Sequence, residues 1–119
     1  MSLAIFSHDL GNADKIGKQL LEYSMKHGCY TDVIPFSCLS DFYERSQSRI
    51  FSTLLCTVQE VGALDVIDEV RERLPNIKIA VLAGSSAVAA ECFKRGVDFC
   101  AEAKLDEASI KRIVDLCFS

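Results

Sequence analysis

The sequence predicts a three-layer α/β domain, a five-stranded parallel sheet with helices on both faces. Three observations predict it. First, the stretch Phe51–Val58 is apolar on both faces apart from its Ser and Thr positions. A strand with no polar face lies between layers, as in the centre of a parallel sheet. Second, strand and helix patterns alternate five times along the 119 residues. Third, the connections are short, so each crossover lays its helix against the sheet with a right-handed turn.

Each element has its own signal. Leu3–Phe6 is a short apolar run, read as the first strand, and Ser7-His8-Asp9 closes it. Asn12 is positioned to cap a helix reaching about Lys26, a task Asp9 could also serve, with Ile16, Leu20 and Leu21 on one face and Gly28 as its stop. Thr31–Phe36 reads as the second strand, with Pro35 assigning it to an edge or ending it early. Ser40 or Asp41 can cap a short helix through about Gln47. Ile50–Val58 is the third strand, and Gly62 breaks the run after it.

Ala63–Leu74 places Ala63, Ile67, Val70 and Leu74 at helical spacing, with Asp68, Glu69, Arg71 and Glu72 outside. Pro75 ends that helix. Ile77–Ala83 is the fourth strand, Gly84 turns the chain, and Ser85 or Ser86 caps a helix through about Lys94 that Gly96 stops. Val97–Ala101 is the fifth strand. Asp106 caps a last helix with the stripe Ile110, Ile113, Val114 and Cys117. Strands three and four are the most apolar and belong in the centre, and the polar second strand belongs at an edge. The expected strand order is 2-1-3-4-5, the flavodoxin-like arrangement, in which ligands and chemistry sit at the carboxyl edge of the strands. On the third strand that edge is Cys56-Thr57-Val58.

Composition narrows the function. A chain with 50% hydrophobic and 25% charged residues is an ordinary globular domain. A net charge of −4 argues against direct nucleic-acid binding by this domain, which needs a basic face. No apolar run approaches the roughly 20 residues of a membrane span. Met1–Ser7 lacks a basic start and a long apolar core, so no signal peptide and a cytoplasmic location are expected. Met1-Ser2-Leu3 reads in part as a remnant of expression, and the stop at Ser119 suggests a domain cut from a longer regulator.

None of the six cysteines pair as C-x-x-C, so neither a zinc site nor a dithiol redox motif is supported. Cys56, Cys92, Cys100 and Cys117 lie in apolar runs, where free cysteine acts as a small hydrophobe. Cys29 and Cys38 lie near element ends. The set reads as reduced thiols in a cytoplasmic protein. No metal and no cofactor is expected.

A five-fold βα domain of this length, starting LAIFSHD and carrying AVLAGSS and GVDFC, resembles a response-regulator receiver domain of two-component signalling. The resemblance covers essentially the whole chain. The stretch KQLLEYSMKHG followed by TDVIPF is most similar to receivers of the LytTR type. In the family, two acidic residues end the first strand and hold Mg²⁺, which suits a hard cation. Here that motif falls on Ser7 and His8, with Asp9 next. The family's phosphoacceptor aspartate ends the third strand. Here the match is Cys56 or Thr57, and neither can form an acyl phosphate. The loop that follows is shortened to Gln59-Glu60-Val61-Gly62.

The family's switch Ser or Thr falls on Ala83, which has no hydroxyl; Ser85 and Ser86 come two and three positions later. Its aromatic switch residue is matched by Phe99. Its lysine falls on Glu102 and its proline on Ala103, with Lys104 two positions late. A glutamate repels the phosphoryl group that the lysine neutralises. The resemblance therefore implies a degenerate receiver: a protein-interaction module, without aspartyl phosphorylation, regulating an attached output domain that could bind DNA. In receivers the docking and dimer surface is the fourth helix, fifth strand and fifth helix. Here its exposed members would be Glu91, Lys94, Arg95, Asp98, Lys111, Arg112 and Asp115. Opposite signs on one face permit a homodimer.

Two other classes compete with this one. A thiol sensor would use Cys56 at the functional edge, with a neighbouring His8 imidazolium lowering its pKa. An enzyme on the same fold has little support. SHDLGNAD is poor in the Ser, Thr and Gly that a flavin phosphate loop needs, and Cys56 is not followed by a phosphatase Arg. A Cys56–His8–Asp9 hydrolase would lack the nucleophile-elbow glycines.

Overall fold

The computed structural model describes residues 2–28, 32–102 and 106–117. Five strands form one parallel sheet in the order β2-β1-β3-β4-β5. They are β1 (Ser2–Phe6), β2 (Asp32–Phe36), β3 (Thr53–Val58), β4 (Lys78–Ala83) and β5 (Phe99–Glu102). The helices between and after them are α1 (Leu10–Lys26), α2 (Leu39–Ser46), α3 (Asp65–Arg73), α4 (Ser86–Lys94) and α5 (Glu107–Cys117). This is the flavodoxin-like topology that the sequence predicts.

Strand alternation sorts the core into two layers. Leu54, Cys56 and Val58 of β3 face Phe42 of α2, Ile67 and Val70 of α3, and Val88 and Cys92 of α4. Leu55 faces the other way, into Ile16 and Leu20 of α1 and Ile110, Ile113 and Val114 of α5. Burying a side chain such as Leu55, at 0% exposure, stabilises the fold by about 1.5–3 kcal/mol. β3 therefore has no polar face because both its faces are covered. Pro35 lies in β2, opposite Ile5, on the edge strand where a missing N–H is tolerated.

Helix ends follow the sequence with local corrections. The cap of α1 is Asp9, not Asn12. The Asn12 N–H is the donor, 3.3 Å from Asp9 Oδ1. Gly28 and Gly96 follow α1 and α4 at φ +70° and +69°, the left-handed region that a side chain resists. Cys38, rather than Ser40 or Asp41, holds the cap position of α2 and makes no side-chain capping bond there. This eight-residue helix is anchored instead by Phe42, whose ring meets Phe36 and Phe51 at 5.6 and 5.5 Å. Ser85 caps α4 through the Val88 N–H, and Asp106 caps α5 through the Ser109 N–H at 2.7 Å.

Several elements start later than expected, β3 at Thr53 rather than Ile50 and β4 at Lys78 rather than Ile77 among them. After β3 the chain first makes a 3₁₀ turn, Val61–Leu64, and α3 begins only at Asp65. The turn changes the helical phase, so Leu64 is buried and Ala63 is exposed. β5 begins at Phe99, two residues after Val97, because Asp98 is used first. Its N–H donates to the Ile79 carbonyl, and its carboxylate accepts from the Ile79 N–H at 2.7 Å. Among the described residues no helix is long and apolar enough to cross a membrane. Cys29, Thr31, Ala103 and Lys104 lie outside the described residues.

Candidate functional site

At the carboxyl edge of β1 and β3 lies a cavity of about 490 Å³. Phe6, Cys56, Val58, Ala63 and Val66 contribute its apolar lining, and Ser7, His8, Asp9, Asn12, Thr57, Gln59 and Glu60 its polar lining. The parallel register places it there. Phe6 pairs with Cys56, so Ser7 and Thr57 come next on their strands, where the sheet opens to solvent. β3 and β4 continue to Val58 opposite Ala83, and Ala83 pairs with Glu102 on β5. The expected positions Ser7, His8, Asp9, Thr57, Ala83 and Glu102 thus share one sheet edge. Phe99 does not, since it pairs with Ala80 three residues before that edge, beneath the Arg112 guanidinium at 5.6 Å.

Each polar group at the first strand end has a local task. Ser7 is buried; its N–H donates to the Phe36 carbonyl and its hydroxyl accepts from the Asp9 N–H. Asp9 spends one carboxylate oxygen capping α1. The exposed His8 sets its ring edge-on to Phe6 at 5.2 Å. A Mg²⁺ site of the receiver kind needs converging carboxylates. Among the described residues no three His, Cys, Asp or Glu side chains converge to hold a metal ion. The residues present do not fit that ion.

β3 brings both Cys56 and Thr57 to the cavity lining, with different exposure. Cys56 is fully buried in the layer facing α3 and α4, and Thr57 is half-buried at the cavity. Burial, and secondarily Cys92, pushes the Cys56 thiol up to about 12. A buried thiol raised this far is protonated at neutral pH and a poor nucleophile, which weighs against a thiol sensor built on Cys56 and His8. Burial likewise pushes Cys92 up to about 12 and raises Cys100 and Cys117. Cys38 is different: exposed, with its thiol 2.9 Å from the Ser40 hydroxyl. That hydroxyl, then the backbone N–H groups of Asp41 and Ser40, lower its pKa.

Sequence reasoning missed the closure of the edge between β3 and β4. The Gly84 N–H donates to the Val58 carbonyl at 2.8 Å, and a Cβ on Gly84 would overlap the Gln59 carboxamide. Gln59 therefore lies directly over the turn where the family's switch hydroxyl would act. No local pattern announces that contact; the Gly after Ala83 is its only trace.

The expected interaction face divides in two. Arg95 meets Asp68 at 2.8 Å, Asp65 at 3.2 Å and Glu91 at 3.3 Å. Arg71 of α3 returns two bonds, to the Arg95 and Gly96 carbonyls. Arg95, steadied by Glu91 one turn before it, thus fastens the end of α4 to α3, and Asp98 fastens the start of β5 to β4. Lys94, Lys111, Arg112 and Asp115 remain exposed. Phe93, 71% exposed on α4, joins them and was not foreseen. Its signal was present: α4 buries Val88, Ala89 and Cys92, so an aromatic at position 93 falls beside the buried stripe.

No family profile matches this sequence, and no curated protein matches it. Solved structures do. A receiver domain of a two-component response regulator from Bacteroides fragilis superposes with TM-score 0.79 at 11% identity, over 98% of this chain and 95% of that one. RcsB from Salmonella enterica serovar Typhimurium, solved bound to a promoter with a phosphomimetic, gives 0.78 at 12%, over 100% and 99%. An atypical orphan response regulator, described as having a phosphorylation-independent regulatory mechanism, gives 0.69 at 18%, over 99% and 96%. At these identities the likeness is one of architecture. The fold is that of response-regulator receiver domains.

Proposed function

We propose that this chain is a degenerate receiver domain, a signalling module that acts through protein contacts and is not switched by aspartyl phosphate. One observation carries the reading: the end of β3 offers a half-buried Thr57 and a fully buried Cys56, with no carboxylate to take a phosphoryl group. The rest of the edge agrees. Ser7 and His8 stand where metal-holding acids belong, Ala83 carries no hydroxyl, and Glu102 carries the wrong charge. The phosphorylation-independent regulator among the structural neighbours gives such a module a precedent. The domain is regulatory rather than enzymatic, is cytoplasmic, and controls an attached output domain, a DNA-binding one if the LytTR-like pattern holds. Its contact face is the α4–β5–α5 side, with Phe93 beside Lys94, Lys111, Arg112 and Asp115, and that face also serves a homodimer. The test is incubation with acetyl phosphate and Mg²⁺ followed by intact mass measurement. The mass stays unchanged for a degenerate domain. A gain of one phosphoryl group on a carboxylate at this edge, labile to hydroxylamine as an acyl phosphate is, overturns the reading.

A further inference from the structure

The cavity at the β1/β3 edge has an electrostatic character opposite to that of a phosphoryl site. Among the described residues its lining contains two carboxylates, Asp9 and Glu60, one imidazole, His8, and neither lysine nor arginine. Glu102 adds a third negative charge at the same sheet edge. The same cavity presents accessible apolar surface from Ala63 and Val66, over the nearly buried Phe6 and Val58. Such a site repels anions and rewards a guest with a positive head and an apolar stem, since the head meets the carboxylates as the stem leaves water.

We infer that this cavity binds an alkylammonium group, its stem against Ala63 and Val66 and its head toward Asp9 and Glu60. Two sources share that chemistry: a small free amine and a lysine side chain of a partner protein. The inference rests on the degenerate reading above, because a pocket that still held Mg²⁺ and phosphate would have the reverse preference. Thr57 and Gln59 supply further oxygen acceptors for the head, and the volume of about 490 Å³ exceeds what a short chain needs.

The test is an amide NMR titration with n-propyl-, n-butyl- and n-pentylammonium, with pentanoate as the anionic control. Saturable shifts are expected around Ser7, Thr57 and Glu60, with affinity rising about three- to four-fold per added methylene as the stem is buried. Glu60→Gln should weaken binding by roughly two- to five-fold, the range of a solvent-reachable ion pair, and added salt should weaken it in the parent chain. Nα-acetyl-lysine N-methylamide separates the sources. Binding at least as tight as pentylammonium points to a lysine of a protein, and much weaker binding to a free amine. Equal response to pentanoate, no dependence on stem length, or silence to every amine overturns the inference. Silence to amines leaves the degenerate reading intact, whereas shifts with Mg²⁺ and beryllofluoride would remove the reading itself.

Discussion

Replacing Cys56 and Thr57 separately by aspartate asks which of them holds the place of the lost phosphoacceptor. Cys56 is 0% exposed and packs against the α3 and α4 side of the sheet. Among the described residues the neighbours of Cys56 in that layer are apolar, so the folded chain must keep a carboxyl there protonated. Holding that proton at pH 7 against an ordinary aspartate value near 3.9 takes about three pH units, or about 4 kcal/mol. Cys56→Asp should therefore lose about 4 kcal/mol or more of unfolding free energy at pH 7, a large share of the roughly 5–15 kcal/mol of a typical domain. Thr57→Asp reaches the cavity and water and should cost no more than about 1 kcal/mol. The pH dependence has a definite sign. From about pH 4 to 7 the folded Cys56→Asp chain binds one more proton than the unfolded chain, so its stability falls as pH rises. Urea unfolding at pH 4.5 and pH 7, referenced to the parent chain, should recover about 3 kcal/mol for Cys56→Asp at the lower pH and little for Thr57→Asp. Equal losses at the two positions, or a larger loss at Thr57, would mean that the side chain of Thr57, and not that of Cys56, is the one sealed from water.

Three further outcomes follow from the same geometry. Gly84→Ala drives a methyl into the Gln59 carboxamide and to 3.2 Å from its Cα, so it should destabilise by about 1–3 kcal/mol. Adding Gln59→Ala should return part of that loss, with a coupling of at least about 0.5 kcal/mol in a double-mutant cycle; strict additivity would contradict the contact. Iodoacetamide at about pH 7.5 should label Cys38 first among the described thiols and leave Cys56 and Cys92 unlabelled until urea unfolds the chain, as peptide mapping would show. The Ser109 backbone N–H holds the Asp106 carboxyl below its usual range. Its stabilisation is present above the unfolded value of about 4 and is lost as pH falls through the lower folded value. Melting temperatures of the parent and Asp106→Ala should thus differ at neutral pH and converge in acid.

The sheet order was legible because it follows from coarse properties: an apolar β3, a polar β2 with Pro35, and five short crossovers. The site was legible only as a set of sheet-edge positions. Ser7, Thr57, Ala83 and Glu102 fall together because parallel strands carry their carboxyl ends to one side. Choosing between Cys56 and Thr57 required the facing of each side chain, which depends on register rather than on residue type. Local competition explains the misplaced ends. Asp9 and Asn12 are both good caps, and only the backbone course after Ser7 favours Asp9. Ala63 and Leu64 both fit a helical stripe until a 3₁₀ turn fixes the phase. Arg95 and Asp98 read as unpaired charges because their partners, Asp65, Asp68 and Ile79, are distant in sequence.

The most direct measurement is an amide NMR titration with Mg²⁺ and then beryllofluoride, which stands in for an aspartyl phosphoryl group. A degenerate receiver gives flat spectra at Asp9, Cys56, Thr57, Ala83 and Glu102 throughout. Saturable shifts confined to those residues would show that the edge still binds metal and anion, and that the domain remains a phosphorylation switch.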